Sequence, residues 1–196
     1  MAFNSRSLPV SITCDGQSLN DNPALPGTGY AFELQTQLDM PVQHAYIGGM
    51  DWVNLKPSQY SRVFPYANVA RRSIYHMMGG TTGLTIGLSG ATMYTNTQLQ
   101  AQAARDAGYD FVVVVTCSSG VGITGAGFEA NRLAYNAALI ADSLNKFDLT
   151  IDICPTPGVN LALHSTPSFQ DGTHWSVLGQ QQALAIAVPQ LRAFVP

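Results

Sequence analysis

The chain predicts a single α/β domain over residues 1–196, built on a five-stranded parallel sheet, and three observations carry the prediction. Five short segments are apolar almost without interruption, as strands are when both faces of a parallel sheet are covered. Longer segments of helical composition or period alternate with them, the order that generates βαβ units. The 196 residues suit one domain with a sizeable core, and no repeat, linker or low-complexity stretch divides them.

The elements follow in chain order. Leu8–Cys14 is the first strand candidate. Tyr30–Leu38 is a short helix and Val42–Ile47 the second strand. Asn54–Arg72 is ambiguous, because Pro57 and Pro65 break any long helix there. Ser73–Met78 is the third strand. Thr97–Ala107, rich in Ala and Gln, reads as a helix stopped by Gly108. Tyr109–Thr116 is the fourth strand and contains the longest apolar run, Phe111 to Val115. Phe128–Phe147 is the clearest helix, with Leu133, Ala137, Ile140, Leu144 and Phe147 spaced along one face. Leu149–Cys154 is the fifth strand, and Ser176 caps a last helix running toward Pro189.

Composition excludes several classes of function. Hydrophobic residues make up 46% of the chain, a globular level, and no run reaches the roughly 18 apolar residues of a membrane span. Charged residues are only 11%, against about 25% in typical domains, so the surface leans on Gln, Asn, Ser and Thr. The net charge is −3, and Lys and Arg do not cluster beyond Arg71-Arg72. That leaves no footprint for nucleic acid or an anionic membrane and favours a neutral substrate or partner. Met1–Ser7 is short and polar, without the apolar stretch of a signal peptide. The expectation is an intracellular protein or one written without its export signal. Cys14, Cys117 and Cys154 cannot all pair within the chain and match no metal spacing. They are expected to be buried free thiols.

Open parallel sheets bind ligands beyond the carboxyl ends of their strands, and the polar residues of this chain gather at that edge. Gly16-Gln17-Ser18-Leu19-Asn20 follows strand one, Gly48-Gly49 follows strand two and Gly79-Gly80-Thr81-Thr82 follows strand three. Asp171-Gly172-Thr173-His174 precedes the last helix. A serine presented at a sheet edge is a poor nucleophile until a base takes its proton. A histidine three residues after an aspartate is suited to that task, the carboxylate orienting the ring. His44, His76 and His164 have no acidic partner at a telling spacing and read as structural or surface residues.

These blocks resemble the SGNH (GDSL-type) hydrolase family over nearly the whole chain. Gly16-Gln17-Ser18-Leu19 is similar to the family's Gly-Asp-Ser-Leu block, with Ser18 in the nucleophile's place. Its glutamine is similar to the Gly-Gln-Ser variant of some carbohydrate O-acetylesterases. Ala45-Tyr46-Ile47-Gly48-Gly49-Met50 resembles the second block, with Gly49 the backbone donor. Gly80-Thr81-Thr82-Gly83 resembles the third, where Thr82 stands in place of the family's asparagine. Asp171-Gly172-Thr173-His174 resembles the last. The stretch Ala104–Asp110 with the Val run after it, and Arg132 with Tyr135-Asn136, also look like bacterial and phage members. A different register would make Cys117-Ser118-Ser119-Gly120 the third block and Leu88-Ser89-Gly90 the second. It would leave two strands between Ser18 and Gly90 where the family has one, so it is rejected.

The resemblance implies a three-layer, flavodoxin-like α/β/α sandwich and a serine esterase needing no metal or organic cofactor. Ser18, His174 and Asp171 would form the triad, with an oxyanion hole from the Ser18 and Gly49 N–H groups and the Thr82 hydroxyl. A small-molecule or carbohydrate ester with a short acyl group, acetyl included, is the implied substrate. Trp52 and Trp175 flank these blocks and are candidates for the pocket wall, with burial in the core the other reading. A catalytically degenerate carbohydrate-binding module and an acyltransferase using the same triad are the alternatives. Oligomeric state is left open.

Overall fold

A computed structural model describes residues 9–21, 27–67, 71–119, 127–142, 146–154 and 166–194. Five strands, β1 (Val10–Gly16), β2 (Val42–His44), β3 (Arg72–Met78), β4 (Phe111–Val115) and β5 (Leu149–Ile151), form one sheet. Its order is β2-β1-β3-β4-β5 and every pairing is parallel. This is the doubly wound order, and its direction reverses between β1 and β3, where a crevice opens at the carboxyl edge.

Helices cover both faces. They are α1 (Tyr30–Leu38), α2 (Trp52–Leu55), α3 (Gln59–Arg62), α4 (Thr81–Thr85), α5 (Gly90–Asp106), α6 (Phe128–Ala141) and α7 (Val177–Phe194). Alternate residues of each strand feed opposite cores. Ile12, Ile74, Val113 and Val115 pack with Leu34 of α1 and Leu184 and Leu191 of α7. Tyr75, Met77, Val112 and Val114 pack on the other side with Leu55, Met93, Ala101 and Leu139. The Val run is thus apolar throughout because both its faces are buried.

All five predicted strands are present, with ends moved by a few residues. Val42–Ile47 shortens to β2, although Ala45 and Ile47 still donate to Cys14 and Gly16 of β1. The ambiguous segment resolves into α2, α3 and short 3-10 turns around its prolines. The predicted Thr97–Ala107 helix begins at Gly90, because the Ser89 hydroxyl accepts from the Thr92 N–H and caps it. The last helix does not stop at Pro189 but carries it inside and runs to Phe194.

One face prediction is overturned. Leu133 and Ile140 of α6 are exposed, and the buried side carries Arg132, Tyr135, Asn136 and Leu139. The reason lies at the end of β4. There the Cys117 N–H donates to Asn136 Oδ1, while Arg132 and Asn136 both donate to the Cys117 carbonyl. Polar side chains satisfy the backbone where the strand stops, which outweighs the apolar stripe. The three cysteines are free, but only Cys14 and Cys117 are buried; Cys154 is partly exposed. Leu8, Gly120, Leu144 and His164, each part of an earlier expectation, lie outside the described residues.

Candidate active site

The turn after β1 is dictated by contact with β3. Gly16 has φ +129°, and a Cβ there would lie 1.9 Å from the Met78 carbonyl oxygen, so only glycine lets the two strand ends meet. The Gln17 N–H donates to that same carbonyl. Residues 18–20 then form a single 3-10 turn, and the buried Asn20 side chain donates to the Asp15, Gln17 and Met78 carbonyls. Ser18 leaves this locked turn facing the crevice.

Beneath it lies a charge that sequence reading missed. Asp15 is fully buried, where it pairs with Arg62 of α3 and accepts from the Tyr75 hydroxyl and the Gly16 N–H. Desolvation pushes its carboxyl above the ordinary value. The Arg62 charge and these hydrogen bonds pull it back part of the way. Nothing local in the sequence marks this trio of Asp15, Arg62 and Tyr75, because its members come from β1, α3 and β3.

The loop before α7 brings the second half of the site. The Ser18 hydroxyl and His174 Nε2 are 2.7 Å apart, and His174 Nδ1 is 2.6 Å from Asp171 Oδ2. Asp171 Oδ1 also accepts from the backbone N–H groups of Thr173 and His174. Partial desolvation opposes ionisation of Asp171, but the hydrogen bonds from His174 and Thr173 outweigh it and hold the carboxyl below its usual range. With Asp171 ionised, Nδ1 carries the ring proton and Nε2 is left to accept from Ser18.

These groups open on a cavity of about 270 Å³ lined by Ser18, Gly49, Thr82, His174, Gln17 and Thr173, with Leu19, Thr81, Thr85 and Ile86 around them. Gly49 adopts φ +72° in the turn after β2. Among the described residues, neither its N–H nor that of Ser18 is taken by another hydrogen bond. Thr82 is present too, but its hydroxyl and its backbone N–H both donate to Gln17 Oε1, at 3.1 and 3.0 Å.

Five of the seven candidate residues are therefore brought together: Ser18, Gly49, Thr82, Asp171 and His174. Trp52 and Trp175 are not. Both are about 1% exposed and belong to the two cores, so the pocket-wall expectation is corrected. Trp52 backs the β3–α4 turn, where a Cβ on Gly79 would strike its ring at 2.5 Å. Trp175 packs edge-on to Tyr30. Ser119 is buried beyond β4 and does not line the cavity, and Ser89 caps α5. His76 is fully buried against Tyr30, where desolvation lowers its pKa to about 4. His44 packs on Phe32.

No protein-family model matches the chain, and no curated protein matches it in sequence. Solved structures do. A member of the lipolytic protein G-D-S-L family from Veillonella parvula superposes with TM-score 0.75 at 15% identity, over 92% of this chain and 97% of that one. The lipase/acylhydrolase from Enterococcus faecalis gives TM-score 0.72 at 13% identity, over 95% and 97%. Axe2, an acetylxylan esterase from Geobacillus stearothermophilus, gives TM-score 0.72 at 12% identity, over 92% and 93%. The chain has the SGNH hydrolase fold of these proteins, a five-stranded parallel sheet with helices on both sides.

Proposed function

We propose that this protein is a serine esterase that cleaves short-chain esters through an acyl-enzyme. The observation that carries the reading is the unbroken chain from Ser18 Oγ to His174 Nε2 and from His174 Nδ1 to Asp171, open to a cavity. Ser18 Oγ attacks the ester carbonyl carbon as its proton passes to His174 Nε2. The carbonyl's π pair moves onto oxygen, where the Ser18 and Gly49 N–H groups donate to it. Collapse expels the alcohol, which takes the proton from His174. Water then repeats the sequence and frees the acid. Asp171 stays ionised and supports the charged imidazole throughout.

The cavity supports the substrate class. Beyond the reacting groups its walls are hydroxyl, amide and aliphatic, and among the described residues no Lys or Arg lines it to hold an anionic group. A neutral ester with a short acyl chain suits that lining. The Thr173 hydroxyl suits a polyol on the alcohol side, so acetyl esters of carbohydrate are the reading we favour. The acetylxylan esterase among the similar structures points the same way.

Turnover of p-nitrophenyl acetate, with and without added alcohol, tests the reaction type. Release at a rate indifferent to alcohol is expected for a hydrolase, and alcohol-accelerated release marks an acyltransferase. Absence of turnover by the folded protein, together with sugar binding, would instead identify a non-catalytic carbohydrate module.

A further inference from the structure

With Thr82 in the place of the resembled family's asparagine, the third block brings no side-chain amide to the oxyanion hole, and the structure offers one elsewhere. Gln17 is only 2% exposed, and what it exposes lines the cavity beside Ser18, Gly49 and His174. Its orientation is decided by chemistry. The atom that accepts from the Thr82 backbone N–H must be an oxygen, because that N–H has no acceptor capacity, so Oε1 faces Thr82. The Thr82 hydroxyl adds a second donor to the same oxygen. Two donors on Oε1 fix the amide plane and direct Nε2 away from α4. Among the described residues Nε2 has no acceptor, which leaves an N–H donor one residue from the nucleophile.

We propose that Gln17 is a catalytic residue: its Nε2–H donates the third hydrogen bond to the oxyanion, with Thr82 acting as the positioning residue that aims it. The inference rests on the esterase reading above. As the Ser18 Oγ–carbon bond forms and the carbonyl pair moves to oxygen, that oxygen gains acceptor strength, and a donor already held in place stabilises it without reorganising. Thr82 serves the hole through Gln17. Its own hydroxyl proton is committed to Oε1 and does not reach the cavity.

Two substitutions separate the donor from the structural tie. Gln17→Glu keeps an oxygen to accept from Thr82 but removes the N–H donor. Gln17→Met removes the donor without adding charge. Each is expected to lower kcat on p-nitrophenyl acetate about 100-fold or more, with KM within about threefold, since the bond strengthens in the transition state. Thr82→Val, which keeps the backbone N–H on Oε1, is expected to cost about threefold or more in kcat. It supplies the neutral arm if Gln17→Met does not fold.

Loss in Gln17→Glu alone would assign the effect to charge, and loss in Gln17→Met alone to the tie with Thr82; either overturns the proposal. A fluorophosphonate adduct on Ser18 is measured in every protein. If wild type turns over and labels at Ser18 while both Gln17 variants keep its kcat, the Gln17 role falls and the esterase stands. If wild type neither turns over nor labels, both fall together.

Discussion

The two halves of the site are held in opposite ways. The Ser18 turn is fixed by the core: Gly16 abuts the Met78 carbonyl, Asn20 ties three carbonyls together, and the buried Asp15 reaches Arg62 and Tyr75 on other elements. The Asp171–His174 loop is held at its ends by buried Phe169 and Trp175, which pair across it. Among the described residues its tip is shaped by bonds within four residues, apart from the His174–Ser18 contact, and the Asp171 side chain is half exposed. Ser18 is therefore set by long-range packing and His174 by a local turn. Changes around the first should cost stability, whereas changes in the second should cost rate alone.

The sharpest break removes the reacting atom and leaves the frame. Ser18→Ala is expected to lower kcat/KM by about 10⁴-fold or more with an unchanged melting temperature, the residual rate coming from binding and the oxyanion hole. Within the loop, His174→Ala is expected to match that loss. Asp171→Asn should cost about 10- to 100-fold less, because a carboxylate that orients and supports the ring is worth less than the base itself. Neither should shift the melting temperature appreciably; a large shift in either would show that the loop, too, is held by the core.

The frame breaks differently. Arg62→Met leaves the Asp15 carboxylate buried without its counter-charge and is expected to cost about 3–5 kcal/mol in urea unfolding. Burial already raises the Asp15 pKa, and losing Arg62 raises it further. The penalty should therefore shrink as pH falls and Asp15 takes up a proton. A penalty independent of pH would mean that Arg62 contributes packing alone.

A smaller effect comes from His76, midway along β3. Its pKa is about 4 in the folded chain, against an ordinary 6.5. The unfolded chain therefore binds a proton between those values that the folded one refuses. Stability should fall by about 3 kcal/mol as pH drops from about 6.5 to about 4 and level off below. His76→Gln should remove that slope, and urea titrations at several pH values measure it.

What could be read from the sequence divides along the same line. The Asp171-Gly172-Thr173-His174 turn is local, so its spacing alone brought Asp171 and His174 forward, and the Gly16-Gln17-Ser18 turn after the Leu8–Cys14 strand announced Ser18. The parallel sheet was legible because its strands are apolar on both faces. Partnerships across the fold were not: Asp15 with Arg62, Asn20 with Met78 and Gln17 with Thr82 join residues whose spacing carries no signal. The face of α6 failed for the same reason, since Arg132 and Asn136 are buried by the unmet backbone at Cys117, which no helical period reports. Trp52 and Trp175 lie beside site blocks in sequence but under them in space.

On the proposed function, Ser18 is a nucleophile activated by His174. Reaction with a fluorophosphonate, followed by mass spectrometry of the digested protein, tests it most directly. One adduct is expected, on the peptide containing Ser18, formed with loss of p-nitrophenyl acetate turnover and far more slowly in His174→Ala. An adduct on another serine, or full turnover by a protein labelled at Ser18, would contradict it.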